Sequence, residues 1–169
     1  TGMGLSELIA RNPDVRAWLT VEGTNIDYPV VQGEDNTRYL NTNVFGQFAL
    51  SGSIFLDYRN AGDFTDAYSL LYGHHMDRKM MFGQLNDFTN EAYFLEHDTA
   101  VLYTRDRVYR VEIFACMETD AYDVQLFSPG DFTQAAMEAL LTRLRGEAVQ
   151  FRDIGVTCGD RILAMSTCK

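Results

Sequence analysis

Hydrophobic positions change their period several times along the chain, and each change marks an element. Leu5, Leu8 and Ile9 share a helical face, which predicts a short helix over residues 5–12 that Pro13 and Asp14 interrupt or restart. From Ala17 the pattern turns to strands. Trp18, Leu19 and Val21 predict a strand ahead of a turn at Glu22-Gly23-Thr24-Asn25. Ile26, Tyr28, Val30 and Val31 predict a second strand, and Pro29, which has no N–H for a ladder, places part of it at an edge or a bulge. Residues 33–41 read as a turn and a short helix. Ser53-Ile54-Phe55-Leu56-Asp57-Tyr58 and Tyr68-Ser69-Leu70-Leu71-Tyr72 predict two further strands, the second running directly into Gly73-His74-His75. Helical spacing returns at Met81, Phe82, Leu85 and Phe88, and again at Tyr93, Phe94 and His97; beside Glu96, His97 is expected at the surface.

The second half begins with a hairpin. Residues 101–104 and 108–114 are strand-like and joined at Arg105-Asp106; Tyr109, Val111 and Ile113 alternate with Arg110 and Glu112, the period of a half-buried strand. Residues 118–125 are polar and suit a loop. Ser128-Pro129-Gly130-Asp131 then opens the best helix of the chain, with Ser128 and Asp131 as a capping pair. Along that helix Phe132, Ala136, Leu140 and Leu144 recur every four residues, and Gly146 is its expected stop. The last strand, residues 161–168, puts Ile162, Ala164, Ser166 and Cys168 on one face. About seven short strands, a few helices and no regular βαβ alternation predict a mainly β, mostly antiparallel barrel or sandwich with helical insertions.

Composition narrows the classes. The 169 residues suit one domain with a substantial core, and 46% are apolar. A net charge of −10 argues against binding nucleic acid or an anionic membrane surface, because both would be repelled. No stretch approaches the ~18 apolar residues of a membrane span. The chain begins without an initiator Met, so it is expected to be an excised piece of something longer.

Candidate chemistry rests on few residues. Cys116, Cys158 and Cys168 are an odd set, so at least one lies outside any intramolecular pair. No Cys/His ligand spacing suggests a metal site, and no cofactor motif is present. Cys116, within Ile113-Phe114-Ala115-Cys116-Met117, reads as a small core hydrophobe. Cys168 ends an apolar strand, where the scaffold is rigid and a loop leaves room for substrate. A thiol attacks as thiolate, and a nearby imidazole favours that form. His74 also stands at a strand end. A Cys–His pair is therefore possible, but on these residues alone the bland reading prevails, because Cys and His co-occur in most chains.

Longer segments carry more. Leu70-Leu71-Tyr72-Gly73-His74-His75-Met76, followed by Met81-Phe82-Gly83, resembles the histidine segment of class B sortases. Asp160-Arg161-Ile162-Leu163-Ala164-Met165-Ser166-Thr167-Cys168 resembles that family's strand into its TLSTC-like nucleophile motif, with Ala164 in place of Thr and Met165 in place of Leu. Asn12-Pro13-Asp14-Val15 with Trp18, Ile26-Asp27-Tyr28-Pro29-Val30-Val31-Gln32, Asp35-Asn36 with Tyr39-Leu40, and Gly52-Ser53-Ile54-Phe55-Leu56-Asp57-Tyr58-Arg59-Asn60 resemble it as well, in order, over nearly the whole chain.

The resemblance implies an eight-stranded sortase-like β-barrel, its last strand missing here. An N-terminal helical segment would span 1–16, and the barrel 17–169 with a helical insertion near 131–145. It implies a transpeptidase on the outer face of a Gram-positive membrane, held by an N-terminal anchor absent from this chain. Such an enzyme cleaves the sorting signal of a secreted protein through a thioester and passes it to an amine of a cell-wall precursor, without a cofactor. A pilin lysine as acceptor, or a non-catalytic sortase-like binding domain, are the alternatives. A papain-like hydrolase is a poor fit, since it wants its Cys at a helix start early in the chain. The carried-over roles are nucleophile for Cys168, general acid and base for His74 rather than His75, and substrate contact for Asn36, Leu40, Ser166 and Thr167. The family's Arg, roughly ten positions beyond its Cys, has no counterpart before Lys169, so this chain is expected to be a poor catalyst whose intact form continues by a strand.

Overall fold

The computed structural model describes residues 4–130 and 132–167. Helix α1 (Leu5–Arg11) leads into a sheet built from β1 (Val15–Val21), β2 (Asp27–Val31), β3 (Ile54–Leu56), β4 (Tyr68–Tyr72), β5 (Thr99–Thr104), β6 (Val108–Glu112) and β9 (Ile162–Ser166). The spatial order is β6-β5-β1-β2-β3-β4-β9. Neighbours are antiparallel except β2 with β3 and β4 with β9, which are parallel. The sheet curls into a mostly antiparallel half-barrel of seven strands among the described residues, with β6 and β9 at its two edges, in line with the mainly β expectation. A separate two-stranded ladder joins β7 (Ala115–Cys116) to β8 (Gln150–Phe151).

Local sequence explains most of this. In β1 the inward positions Val15, Ala17, Leu19 and Val21 are buried and alternate with half-exposed ones. Pro29 lies in the part of β2 that reaches beyond the short β3, where pairing begins only at Val30; its missing N–H therefore costs no ladder bond on that side. β4 departs from alternation because both of its faces are covered. Leu71 packs into the main core with Leu19, Ile26, Leu56 and Phe82, while Tyr68 packs under a helix on the opposite side. A strand covered on both faces reads as a continuous apolar run.

That covering helix is α3 (Gln134–Glu147), and its ends differ from the expected ones. The N-cap is Thr133, whose side chain accepts the N–H of Ala136, so Ser128 does not cap it; Asp131 lies outside the described residues. Phe132 precedes the helix and stacks on Tyr68 at 4.8 Å between ring centroids. The helix runs through Gly146 and stops at Ala148, since one glycine costs only about 1 kcal/mol against the packing of Met137, Leu140, Leu141 and Leu144. Residues 83–89 form a 3₁₀ helix and Glu91–Glu96 the short helix α2. His97 caps α2 and is half-buried rather than at the surface: its ring stacks on Tyr93 at 3.8 Å and its Nδ1 donates to the Tyr93 carbonyl. No helix among the described residues is long and apolar enough to cross a membrane.

Candidate active site

The parallel pair β4–β9 builds the site. Its register sets Tyr72 against Ser166, and the Gly73 N–H donates to the Ser166 carbonyl at 3.1 Å. Parallel strands end on the same side of a sheet, so the chain leaves β4 towards His74 and leaves β9 towards Cys168 at the same rim. Cys168 itself lies outside the described residues. The Ser166 hydroxyl crosses between the two strands and donates to the Leu71 carbonyl at 2.8 Å. Gly73 leaves no room for a side chain: a Cβ there would sit 2.5 Å from Ile54 and 2.6 Å from Phe82.

His74 is fixed from two directions. Its ring Nε2 lies on the backbone carbonyl of Leu40, at the end of the 3₁₀ turn Arg38–Leu40. A carbonyl oxygen can only accept, so Nε2 carries the proton of this bond. Its own carbonyl accepts the Phe82 N–H at 2.9 Å, closing an excursion whose base is a bridge between His75 and Met81. Within that excursion Arg78, Lys79 and Met81 hold positive φ. His75 is exposed at the outer edge of this bridge.

An open cavity of about 1410 Å³ runs past His74, lined on the way by Leu40, Tyr72, Phe127, Ser166 and Thr167. It continues between the sheet edges along Leu163, Met165, Tyr109 and Val111. The Thr167 hydroxyl is buried there with no hydrogen-bond partner among the described residues. Of the residues singled out in the sequence, His74, Leu40, Ser166 and Thr167 thus share one cavity. Asn36 does not line it; its amide donates to Asp57 at 3.0 Å and accepts the Tyr58 N–H at 3.0 Å.

Sequence reasoning missed the polar cluster behind this wall. Asp57 is fully buried just past β3 and accepts from Asn36, from the Tyr72 hydroxyl at 2.7 Å, and twice from the Arg59 guanidinium at 2.8 and 2.9 Å. Burial alone pushes its pKa up, but these hydrogen bonds outweigh burial and hold it below the usual carboxylate range. Burial, and then the bond to Asp57, raises the Tyr72 hydroxyl above its ordinary value. The available signal was the carboxylate itself, next in sequence to an apolar strand and followed two residues later by an Arg. Among the described residues no group of three or more His, Cys, Asp or Glu side chains is suited to hold a metal.

The family model for the sortase domain matches residues 19–169. The chain belongs to the sortase family. Its relatives place it in class B. It is 36% identical over 166 residues to sortase B of Listeria monocytogenes, an alignment covering 97% of this chain and 66% of that protein. It is 30% identical to sortase B of Staphylococcus aureus, over 94% of this chain and 64% of that protein. The sortase thus spans just under two thirds of the length of these curated relatives. A crystal structure of a Streptococcus pyogenes class B sortase involved in pilus biogenesis superposes with a TM-score of 0.91 at 45% identity, covering 99% of this sortase and 91% of that chain. The half-barrel with α3 packed outside β4 and β9 is therefore the class B sortase fold.

Proposed function

We propose that this protein is a cysteine transpeptidase in which Cys168 is the nucleophile and His74 its acid–base partner. The observation that carries this is the β4–β9 register: Tyr72 faces Ser166, and His74 and Cys168 each follow two residues later in the chain. The Cys168 thiolate attacks the scissile carbonyl of a sorting-signal peptide lying along the cavity. The C–N bond breaks, His74 gives a proton to the leaving amine, and a thioester remains on the sulfur. An incoming amine then attacks the thioester and gives its proton to His74; the C–S bond breaks and the thiolate returns. With Nε2 held by Leu40, Nδ1 is the ring nitrogen without a hydrogen bond among the described residues, and so the one to exchange that proton. Of the other cysteines, Cys116 is half-buried and burial pushes its pKa up to about 11, a poor source of thiolate. Leu40, Ser166 and Thr167 line the peptide's path, and Asn36 supports it from behind. The proposed chemistry uses no metal or organic cofactor.

The acceptor is an amine. The 45% identity to the pilus-associated S. pyogenes enzyme favours a lysine side chain on a pilin-type protein over an amine of a cell-wall precursor. Either acceptor places the enzyme on the outer face of a Gram-positive cell, anchored through a segment preceding the domain.

The test uses an internally quenched pentapeptide, the best-cleaved member of a library. C168A should abolish cleavage, while C116A and C158A retain it. H74A should lose about 100- to 10,000-fold and H75A little. Cleavage surviving in C168A, or H75A being the worse of the two histidine variants, would overturn the assignment. Offering a lysine-bearing peptide and a cell-wall peptide amine together decides the acceptor, by mass spectrometry of the product.

A further inference from the structure

Three chain segments, at residues 36, 57–59 and 72, meet at one buried carboxylate. Asp57 Oδ2 takes hydrogen bonds from Asn36, Tyr72 and Arg59, and Oδ1 takes two more from the Arg59 side chain and backbone N–H. Arg59 does not stop there. Its Nη2 also donates at 2.8 Å to the carbonyl of Phe127, in the segment that leads from β7 towards α3. The Phe127 ring lies at 6.4 Å from that of Tyr72, nearly parallel to it, and both line the cavity. The same segment is tied a second time by the Tyr68 hydroxyl to the Leu126 carbonyl at 2.6 Å, and a third by Arg143 to Asp123.

The Asp57 carboxylate is fully buried, while Arg59 reaches the surface with 35% of its side chain exposed. Removing the partner of a buried carboxylate strands its charge. What the pair does here is geometric. Neither Asp57 nor Arg59 lines the cavity, and no hydrogen bond links either to His74. What they hold are Tyr72 and Phe127, the aromatic walls a peptide would meet beside it.

We infer that Asp57 and Arg59 are positioning residues that select the substrate, by locking Tyr72 and the 118–130 segment into one groove geometry next to His74. The inference rests on the transpeptidase reading above and deepens it. The pair sets how tightly a peptide is held and leaves the chemistry at Cys168 and His74 untouched.

The experiment compares the unsubstituted protein with D57N and R59K. D57N keeps the shape and loses the charge. R59K keeps the charge and loses the fork that reaches two acceptors, and because Arg59 is partly exposed it is the variant more certain to fold. Three quantities are read: KM and kcat for the quenched pentapeptide, the rate of Cys168 alkylation by iodoacetamide, and amide hydrogen exchange across residues 118–130. We expect KM to rise about tenfold or more, the scale of a lost charge-assisted hydrogen bond. We expect kcat to stay within about threefold, alkylation to be unchanged, and exchange to quicken in 118–130 but not in β1 or β5. An unchanged KM in R59K, or exchange that rises uniformly through the sheet, would reduce the pair to a structural role and overturn the inference. If the unsubstituted protein cleaves no library peptide although Cys168 is alkylated, the transpeptidase reading falls, and substrate selection with it. Whether the pair tethers the segment is still decided by the exchange data.

Discussion

The His74 ring leans on one carbonyl, and a glycine secures that carbonyl. Gly52 has φ +59, and a Cβ added there would stand 2.5 Å from the Leu40 oxygen and 2.6 Å from that of Tyr39. Gly52→Ala therefore meets both a left-handed backbone that side chains disfavour and an immovable neighbour. The cost should be about 1–3 kcal/mol in urea unfolding. Because the displaced atom is the one that holds Nε2 of His74, the cleavage rate should fall even in the fraction that remains folded. A Gly52→Ala protein with reduced stability but an unaltered rate per folded molecule would show that the Leu40 contact does not orient the ring. The sequence held the glycine in plain view, within a segment resembling the family's, but the reason for it, a carbonyl twelve residues earlier, is visible only in the folded chain.

Among the elements, α3 was read well in its middle and poorly at its ends. The apolar repeat at Ala136, Leu140 and Leu144 gave its existence and its buried face, since burial on one side of a helix imposes that spacing. The cap could not be chosen the same way. Ser128 and Thr133 are both good N-cap types, and which one serves depends on where Phe132 settles, against Tyr68 of β4. Thr133→Ala should cost about 1 kcal/mol of stability and Ser128→Ala should cost much less. Thermal unfolding of the two variants distinguishes them, and a larger loss for Ser128→Ala would return the helix start to the position expected from sequence. The helix matters for the site because Leu140, Leu141 and Met137 pack on Tyr68 and Ile162, in the neighbouring strands β4 and β9 that build the rim beside His74.

For the molecule as a whole, two of the acidic side chains with a depressed pKa, Asp57 and Asp123, are each held by an arginine. Asp57 has its pKa below the usual range for the reasons given above. Asp123 is held well below it, first by the Arg143 guanidinium. Depressed carboxylates bind protons more readily in the unfolded chain, where an Asp titrates near pH 3.9. Their contribution to stability is therefore complete above about pH 4 to 5 and is lost as the pH falls through the folded values. Urea unfolding followed from pH 7 to pH 2.5 should show a decline confined to the acid end. Asp123→Asn should start lower at pH 7 and decline less steeply, and parallel curves for the two proteins would contradict the assigned cause.

By itself the sequence determined what repeats or what is locally forced. Period-two alternation marked β6, apolar stretches marked β1 and β4, and a chain-long series of motifs pointed to the sortase fold and to His74 and Cys168 as the residues to consider. These are legible because each depends on neighbours within a few residues, or on residue types that only a few chemistries need. The tertiary structure decided what depends on distant segments meeting. It set β4 beside β9 in parallel, so that the rim after Tyr72 is also the rim after Ser166. It turned Asn36 away from the cavity and onto Asp57, and it made Asp57 the junction of segments from residues 36, 59 and 72, with Arg59 carrying the link on to Phe127. No local pattern encodes such a junction, because the free energy that holds a buried carboxylate charged comes from donors the chain brings together only when it is folded.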